Sequence, residues 1–493
     1  MRIEKVSGLD QSRNADLILV NSPLRDYDMR PKDDYEVLPH LGLAYIASKA
    51  AQVGHNVGLI DAEHNGMGQS ELVNIVNALR PRYVGINVLT PTRLQSLAFA
   101  ENLDPDIPLV IGGSHATSLT EKTLREFATV HEKVILIRSE AELAVTAILD
   151  GQNIHSIPGA FWLNSKDLKY TPGLSVPTNL DELPLMNRDF LVNDPSIDHH
   201  TGKPESRVLT SRGCPFDCTF CAGARSSLDL KVRNRWAINV AEEIKGLVLD
   251  NRIQSVRFVD DLFISSKERT KSILEALKEV RASNIFWDAT GRASILSKFE
   301  PVFFDYLKES GANEFAIGIE SGSERLRERV NKQVSMWQIE KSITELTKRG
   351  IKVKGYFIVG LPTETRDETL ATFKLAKDLT TKYPGLFRAS VFIFRPYPGT
   401  KDWKYLISQG YKEEELLSMH ADGVGERAKH EVLPTQSFGE CSPEELAVML
   451  AQYNEWQQNL IQWYDLSRKS KTISVWYEID VFLFFEHIII VCS

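Results

Sequence analysis

The sequence predicts an α/β protein in three parts: a doubly wound, Rossmann-like N-terminal domain, a partial (β/α)6 TIM-type barrel, and a small, mainly helical C-terminal region. Three observations carry this expectation. Two series of short apolar runs alternate with helical patterns, a stretch rich in Pro, Asn, Asp and Gly separates them, and the pattern turns helical after Gly410. The expected boundaries are 1–150 for the first domain, 151–204 for a linker, 205–410 for the barrel and 411–493 for the C-terminal region.

The first series comprises Leu17 to Val20, a helical pattern over Leu41 to Val53, then Val57 to Ile60, Tyr83 to Val88, Leu109 to Ile111 and Val134 to Ile137. Strands separated by helices make βαβ units and a parallel sheet, which binds ligands at the carboxyl ends of its strands. The second series starts at Arg207 and continues with Ser255 to Val259, Ile285 to Thr290, Glu314 to Ile319, Val353 to Val359 and Ser390 to Phe394. Helical patterns fill its gaps, and a barrel of this kind carries its chemistry at the strand C-termini.

A chain of 493 residues with a net charge of -8 lacks the basic balance of a nucleic-acid binder, so a small-molecule substrate and no nucleic acid are expected. The N-terminal apolar run at Leu17 to Val20 is too short for a signal-peptide core, which predicts a cytoplasmic protein without a transmembrane segment. Near the C-terminus, Val481 to Cys492 is strongly apolar but is interrupted by Glu486 and His487, and reads as a buried strand or docking tail, with contact to a membrane surface as the alternative.

Of the five cysteines, Cys214, Cys218 and Cys221 fall within eight residues, while Cys441 and Cys492 stand alone. This clustering suits a metal site in a reducing compartment better than a disulfide framework. The loop Cys214-Pro215-Phe216-Asp217-Cys218-Thr219-Phe220-Cys221 directly follows the first barrel strand. Thiolates are the soft ligands of iron–sulfur clusters, and three of them leave one iron of a cubane open. Zinc is the alternative, but a structural zinc site takes four ligands, and the loop holds no fourth Cys or His.

At these residues the chain resembles the radical S-adenosylmethionine (radical SAM) superfamily. The resemblance implies a 4Fe-4S cluster on Cys214, Cys218 and Cys221, whose open iron binds S-adenosylmethionine and whose electron cleaves it to a 5′-deoxyadenosyl radical. It also implies a reductant such as flavodoxin or ferredoxin. Phe220 matches the family's aromatic near the adenine. Asp260 or Asp261, after the second strand, stands where the superfamily often has an acid contacting the methionine amino group, with a helix-capping pair as the other reading. Glu320 in Gly318-Ile319-Glu320-Ser321-Gly322 looks like the ribose acceptor, since a carboxylate accepts from two hydroxyls at once. Gly360 resembles the glycine that supports the adenine. Arg292 matches a contact to the methionine carboxylate, with a structural salt bridge as the alternative.

In the first domain, Val20-Asn21-Ser22-Pro23, Pro39-His40-Leu41-Gly42-Leu43-Ala44-Tyr45, Gly54-His55-Asn56-Val57 and Ile111-Gly112-Gly113-Ser114-His115-Ala116-Thr117 together resemble the cobalamin-binding domain fused to class B radical SAM enzymes. Arg138-Ser139-Glu140-Ala141-Glu142 is similar to the same domain's acidic segment. The resemblance implies that Gly112, Gly113 and Ser114 approach a cobalamin. The Asp-x-His-x-x-Gly motif that supplies a lower cobalt ligand in mutases is missing, and His64 has the wrong spacing for it. The implied function is C-methylation of an unactivated carbon of a small-molecule or natural-product substrate; the alternative is a cobalamin-dependent oxidative cyclisation or ring rearrangement. A methylthiotransferase is disfavoured because Cys441 and Cys492 cannot build a second three-cysteine site, and a corrinoid sensor would not need the triad. No residue is assigned a catalytic role.

Overall fold

The computed structural model describes residues 4–468 apart from 30–31, 33–36, 199–200, 225–229, 251–252 and 426–435. The apolar tail at Val481 to Cys492 therefore lies outside the described residues.

The first sheet contains β1 (Leu17–Asn21), β2 (Val57–Asp61), β3 (Tyr83–Asn87), β4 (Leu109–Gly112), β5 (Val134–Ile137), β6 (Ala160–Asn164) and β7 (Asp167–Tyr170), in the order β2-β1-β3-β4-β5-β6-β7. Strands β1 to β5 are parallel, and β1 pairs with both β2 and β3. The chain thus reverses direction of winding at β1 and β3, which opens a crevice at their carboxyl ends. Every residue of β1 and β2 is buried, as expected for parallel strands covered on both faces.

The stretch 151–204, expected as a linker, is in part sheet. Strands β6 and β7 form an antiparallel hairpin on β5, so the first sheet runs to Tyr170. Phe161 and Tyr170 stack across this hairpin with ring centroids 5.4 Å apart. The outer strand, Asp-Leu-Lys-Tyr, is mostly exposed and polar, so it carries no apolar period to read in the sequence.

The second sheet contains β8 (Ser196–Ile197), β9 (Pro204–Val208), β12 (Ser255–Phe258), β13 (Phe286–Gly291), β14 (Ala312–Glu320), β15 (Lys352–Val359) and β16 (Phe387–Ile393), in the order β16-β15-β14-β13-β12-β9-β8. Its last six strands are parallel and form the expected open half of a barrel, and β8 adds an antiparallel edge. Trp287 is fully buried at its centre, where its ring meets those of Phe258, Phe263 and Phe315. Between β9 and β12, the short antiparallel pair β10 (Ser211–Arg212) and β11 (Arg233–Asn234) brackets the cysteine loop.

After β16 the described chain is helical, at Lys401–Ser408, Glu413–Gly425 and Pro443–Arg468. The last of these lies along β16, where Tyr453 Oη and Gln457 Nε2 donate to the Ala389 carbonyl at 3.5 and 3.0 Å. Among the described residues, no helix is long and apolar enough to cross a membrane.

Candidate active site: a cysteine loop facing an apolar slot

The cysteine loop is held from outside by backbone contacts. The Thr219 N–H donates to the Val330 carbonyl at 3.1 Å, Asn331 Nδ2 to the Asp217 carbonyl at 2.9 Å, and Thr219 Oγ1 to Asp402 at 2.9 Å. Cys218 is buried, and Cys214 and Cys221 are half-buried. Burial pushes the Cys214 thiol up to about 11, with the negative charges of Asp261 and Cys218 adding to it. Cys221 is pushed higher still, by burial and then by Cys218 and Asp261. Cys214 and Cys221, held as thiols in this way, need a cation beside them to become thiolates, and iron supplies one. The donor set therefore fits an iron–sulfur cluster.

Arg292 stands over the loop. Its guanidinium lies 3.8 Å from the Phe216 ring centroid, and Nη1 is 3.6 Å from the Cys218 sulfur. Its Nη2 donates to the Lys332 carbonyl and its Nε to Ser294 at 3.1 Å. The guanidinium is thus beside the thiols, but two of its three nitrogens are taken up by the protein.

The two acids after β12 divide. Asp260 accepts from the Thr210 and Ser211 N–H groups at 2.6 and 2.9 Å, and its other oxygen accepts from the Thr210 hydroxyl. Both oxygens tie the segment after β12 to the end of β9. Asp261 is the acid beside Cys214 and Cys221, and burial together with the Asp260 charge pushes it up to about 7.

Glu320 is buried at the end of β14, where a shift in register against β15 between Gly318 and Glu320 coincides with a left-handed φ of 68°. Bulges of this kind re-aim a side chain next to active sites. Here the carboxylate turns back to accept from Lys332 Nζ at 2.6 Å. A Cβ at Gly318 would collide with both groups, so glycine at that position makes room for the pair. Burial opposes the Lys332 ammonium, but Glu320 and then Cys218 outweigh it and raise its pKa. Lys332 is a site residue that the sequence reading missed, because nothing in the string Val330-Asn331-Lys332 signals a fold back onto a strand twelve residues earlier. Phe220 packs half-buried on a cluster containing Val330, Ile358 and Leu361, at the β15 end that carries Gly360. The Gly360 N–H donates to Glu364.

In the first domain a narrow cavity of about 40 Å³ lies between the sheet and two helices, Leu41–Gln52 and Glu142–Leu149. Leu19, Val110 and Ile137 form its floor, Leu43 and Val145 its walls, and Gly112 and Gly113 its rim. Gly113 has φ 95°, and a Cβ there would collide with the Asn87 amide. Ser114 opens the short helix Ser114–Ser118 directly beyond it. Asn87, Ser139 and Glu142 are among the lining residues, and each has one buried side-chain polar atom without a hydrogen-bond partner. At about 40 Å³ the cavity is far smaller than a cobalamin, so its apolar lining and glycine rim fit contact with one edge of the cofactor, whose bulk would lie outside it.

The described histidines at this end are held by the protein or lie away from the cavity. His40 Nδ1 accepts from the Leu43 N–H at 3.3 Å, and its Nε2 lies 2.5 Å from the Asn87 amide nitrogen, so both ring nitrogens are engaged within the protein. Burial pushes this ring down to about 4 and keeps it neutral. His115 is buried, with Nδ1 3.2 Å from Thr90 Oγ1. His64 follows β2, the outermost strand, and lies outside the cavity lining. The cob(II)alamin form is therefore expected to give an electron paramagnetic resonance spectrum without nitrogen hyperfine splitting from the protein; a splitting that vanishes in His64→Ala overturns this.

The two domains meet through buried ion pairs. Arg212, next to the cysteine loop, donates to Glu140 at 2.7 Å and to Glu142 at 2.6 Å, and Arg233 reaches the same Glu140. A partly exposed pair, Lys122 with Glu413 at 2.5 Å, adds a contact to the C-terminal region, and Gly399 sits against Ser118. The cysteine loop and the apolar slot thereby share one seam.

These features define the class: a corrinoid-type α/β domain locked to a half-barrel that carries a three-thiol loop. Comparison with known proteins gives the family. The model of the radical SAM superfamily matches residues 208–376, and that of the B12 binding domain matches residues 34–149. An uncharacterized methyltransferase of Pyrococcus horikoshii is 32% identical over 393 residues, covering 78% of this chain and 80% of its own. The anaerobic magnesium-protoporphyrin IX monomethyl ester cyclase of Rubrivivax gelatinosus is 24% identical over 360 residues, covering 69% of this chain and 62% of its own. The radical S-adenosylmethionine methyltransferase TsrM of Kitasatospora setae, solved with cobalamin and a [4Fe-4S] cluster bound, aligns with a TM-score of 0.63 at 15% identity, over 80% of this chain and 78% of its own, a likeness of fold. The chain belongs to the cobalamin-dependent radical SAM methyltransferases, whose cofactors are a [4Fe-4S] cluster, S-adenosylmethionine and cobalamin.

Proposed function

We propose that this chain methylates an unactivated carbon of a small-molecule substrate held where the strand ends of the two sheets face each other. The observation that carries this reading is the seam of Arg212, Arg233, Glu140 and Glu142, which ties the cysteine loop to the rim of the slot. Reaction between a radical centre and a methyl donor needs both within contact distance of one carbon. When bound, the cluster with S-adenosylmethionine supplies the hydrogen-abstracting radical and cobalamin supplies the methyl group.

The chain's own residues bind and orient. Cys214, Cys218 and Cys221 hold the cluster, and Asp261 and Arg292 stand beside it for the amino and carboxylate groups of S-adenosylmethionine. Glu320, positioned by Lys332, takes the ribose, and Phe220 and Gly360 flank the adenine. Gly112, Gly113 and Ser114 let cobalamin approach, while Asn87, Ser139 and Glu142 meet its polar groups. A reductant such as flavodoxin or ferredoxin and a reducing compartment such as the cytoplasm suit the exposed chemistry of free thiols.

Methylation stands ahead of cyclisation because the methyltransferase relative matches more of the chain at higher identity. Anaerobic incubation with methyl-labelled S-adenosylmethionine and candidate substrates is expected to give a product carrying the label, alongside 5′-deoxyadenosine. Formation of 5′-deoxyadenosine with a ring-closed or rearranged product and no label overturns the reading in favour of the alternative.

A further inference from the structure

We propose that Arg212 is a positioning residue that couples the cobalamin slot to the cluster loop; the inference rests on the cofactor reading above. Strands β10 and β11 close the neck of that loop, and Arg212 and Arg233 stand opposite each other in their register. Both arginines grip Glu140, and Arg212 alone also holds Glu142, with its guanidinium 5.2 Å from the Tyr45 ring centroid. Only Gly213 separates Arg212 from Cys214. A cluster that fixes Cys214 therefore bears on the backbone of Arg212 through a single residue.

The other end of this linkage is Glu142. It opens the helix Glu142–Leu149 that walls the slot, and it is buried. Its Oε1 accepts from Arg212, while Oε2 is buried without a partner on a residue that lines the slot. A hydrogen-bond donor of the bound corrinoid, an amide or a hydroxyl, fits that oxygen. One carboxylate then joins the ligand in the first domain to the neck of the loop in the second. Removing one member of a buried charge network leaves its partners uncompensated, so the arrangement holds together or fails as a unit. Coupling between two sites is reciprocal, and cluster loading must tighten cobalamin binding as much as cobalamin steadies the cluster.

The test is titration of hydroxocobalamin, followed by absorbance, into the full chain with its cluster reconstituted and into the same chain stripped of iron. In the unaltered protein, cluster loading is expected to tighten cobalamin binding at least about fivefold. In Arg212→Met the two affinities merge, and Arg212→Lys, which keeps the charge but not the fork, retains part of the difference. Glu142→Gln weakens cobalamin about tenfold with iron content unchanged. A cluster-dependent affinity that persists in Arg212→Met, or in Arg212→Lys at full size should the Met variant fail to fold, overturns the inference. So does a Glu142→Gln variant that binds cobalamin normally. Unaltered protein that binds cobalamin equally with and without iron refutes the coupling alone, whereas protein that binds none in either state refutes the cofactor reading with it.

Discussion

Cys218→Ala is expected to lose the cluster altogether, from about four irons per chain in the reconstituted protein to nearly none, with the visible absorption shoulder of the cubane gone. Cys218 is the most enclosed of the three thiols and lies under Arg292. Two remaining thiols cannot hold a cubane against hydrolysis and chelation. The loop itself should stay in place, because its short anchors to Val330, Asn331 and Asp402 run through Thr219 and Asp217, and the sulfur adds only a 4.0 Å contact to the Asn331 carbonyl. Iron assay and a melting curve on the same sample separate the two effects. Full iron retention in the variant sinks the cluster assignment, and a single zinc in the unaltered protein replaces it with the zinc site that the spacing left open.

Glu320→Gln is expected to weaken S-adenosylmethionine binding tenfold to a hundredfold while iron content stays the same. Hydrogen bonds to charged groups are worth ~1.5 to 3 kcal/mol, and each 1.4 kcal/mol is about a factor of ten in affinity. The amide loses the charge assistance and one acceptor. It also leaves the buried Lys332 ammonium with a neutral partner, so the melting temperature should fall somewhat as well. The two contributions part in a paired experiment, in which cofactor is titrated against Glu320→Gln and the melting curve recorded beside it. Lowered stability with unchanged cofactor affinity would make the Glu320–Lys332 pair scaffold, and the ribose would have to sit elsewhere.

Much of this architecture was legible in the sequence because parallel strands buried on both faces leave continuous apolar runs. Leu17 to Val20 and Val353 to Val359 needed no partner to be recognised. The hairpin of β6 and β7 was not legible, since its outer strand is solvated and polar. Adjacent residues raised a different difficulty at Asp260-Asp261, which the string treats as equivalent. The tertiary structure separates them: the N–H groups of Thr210 and Ser211 consume the first, and the thiols neighbour the second. The Arg212 pairs with Glu140 and Glu142 span about seventy residues of chain, and no local pattern encodes an ion pair at that range. Ser-Arg-Gly ahead of the first cysteine and the Glu-Ala-Glu string were each visible, but not their meeting.

A barrel that stops at half a turn has two free borders, and a free border invites another chain to zip onto it. Closed barrels avoid this by joining first strand to last. Here one border is occupied by the short strand Ser196–Ile197. At the other, the helix Pro443–Arg468 lies against the outermost strand, and Tyr453 and Gln457 engage the Ala389 carbonyl that an incoming strand would need. The C-terminal region thereby covers part of that border and takes up a backbone acceptor on it.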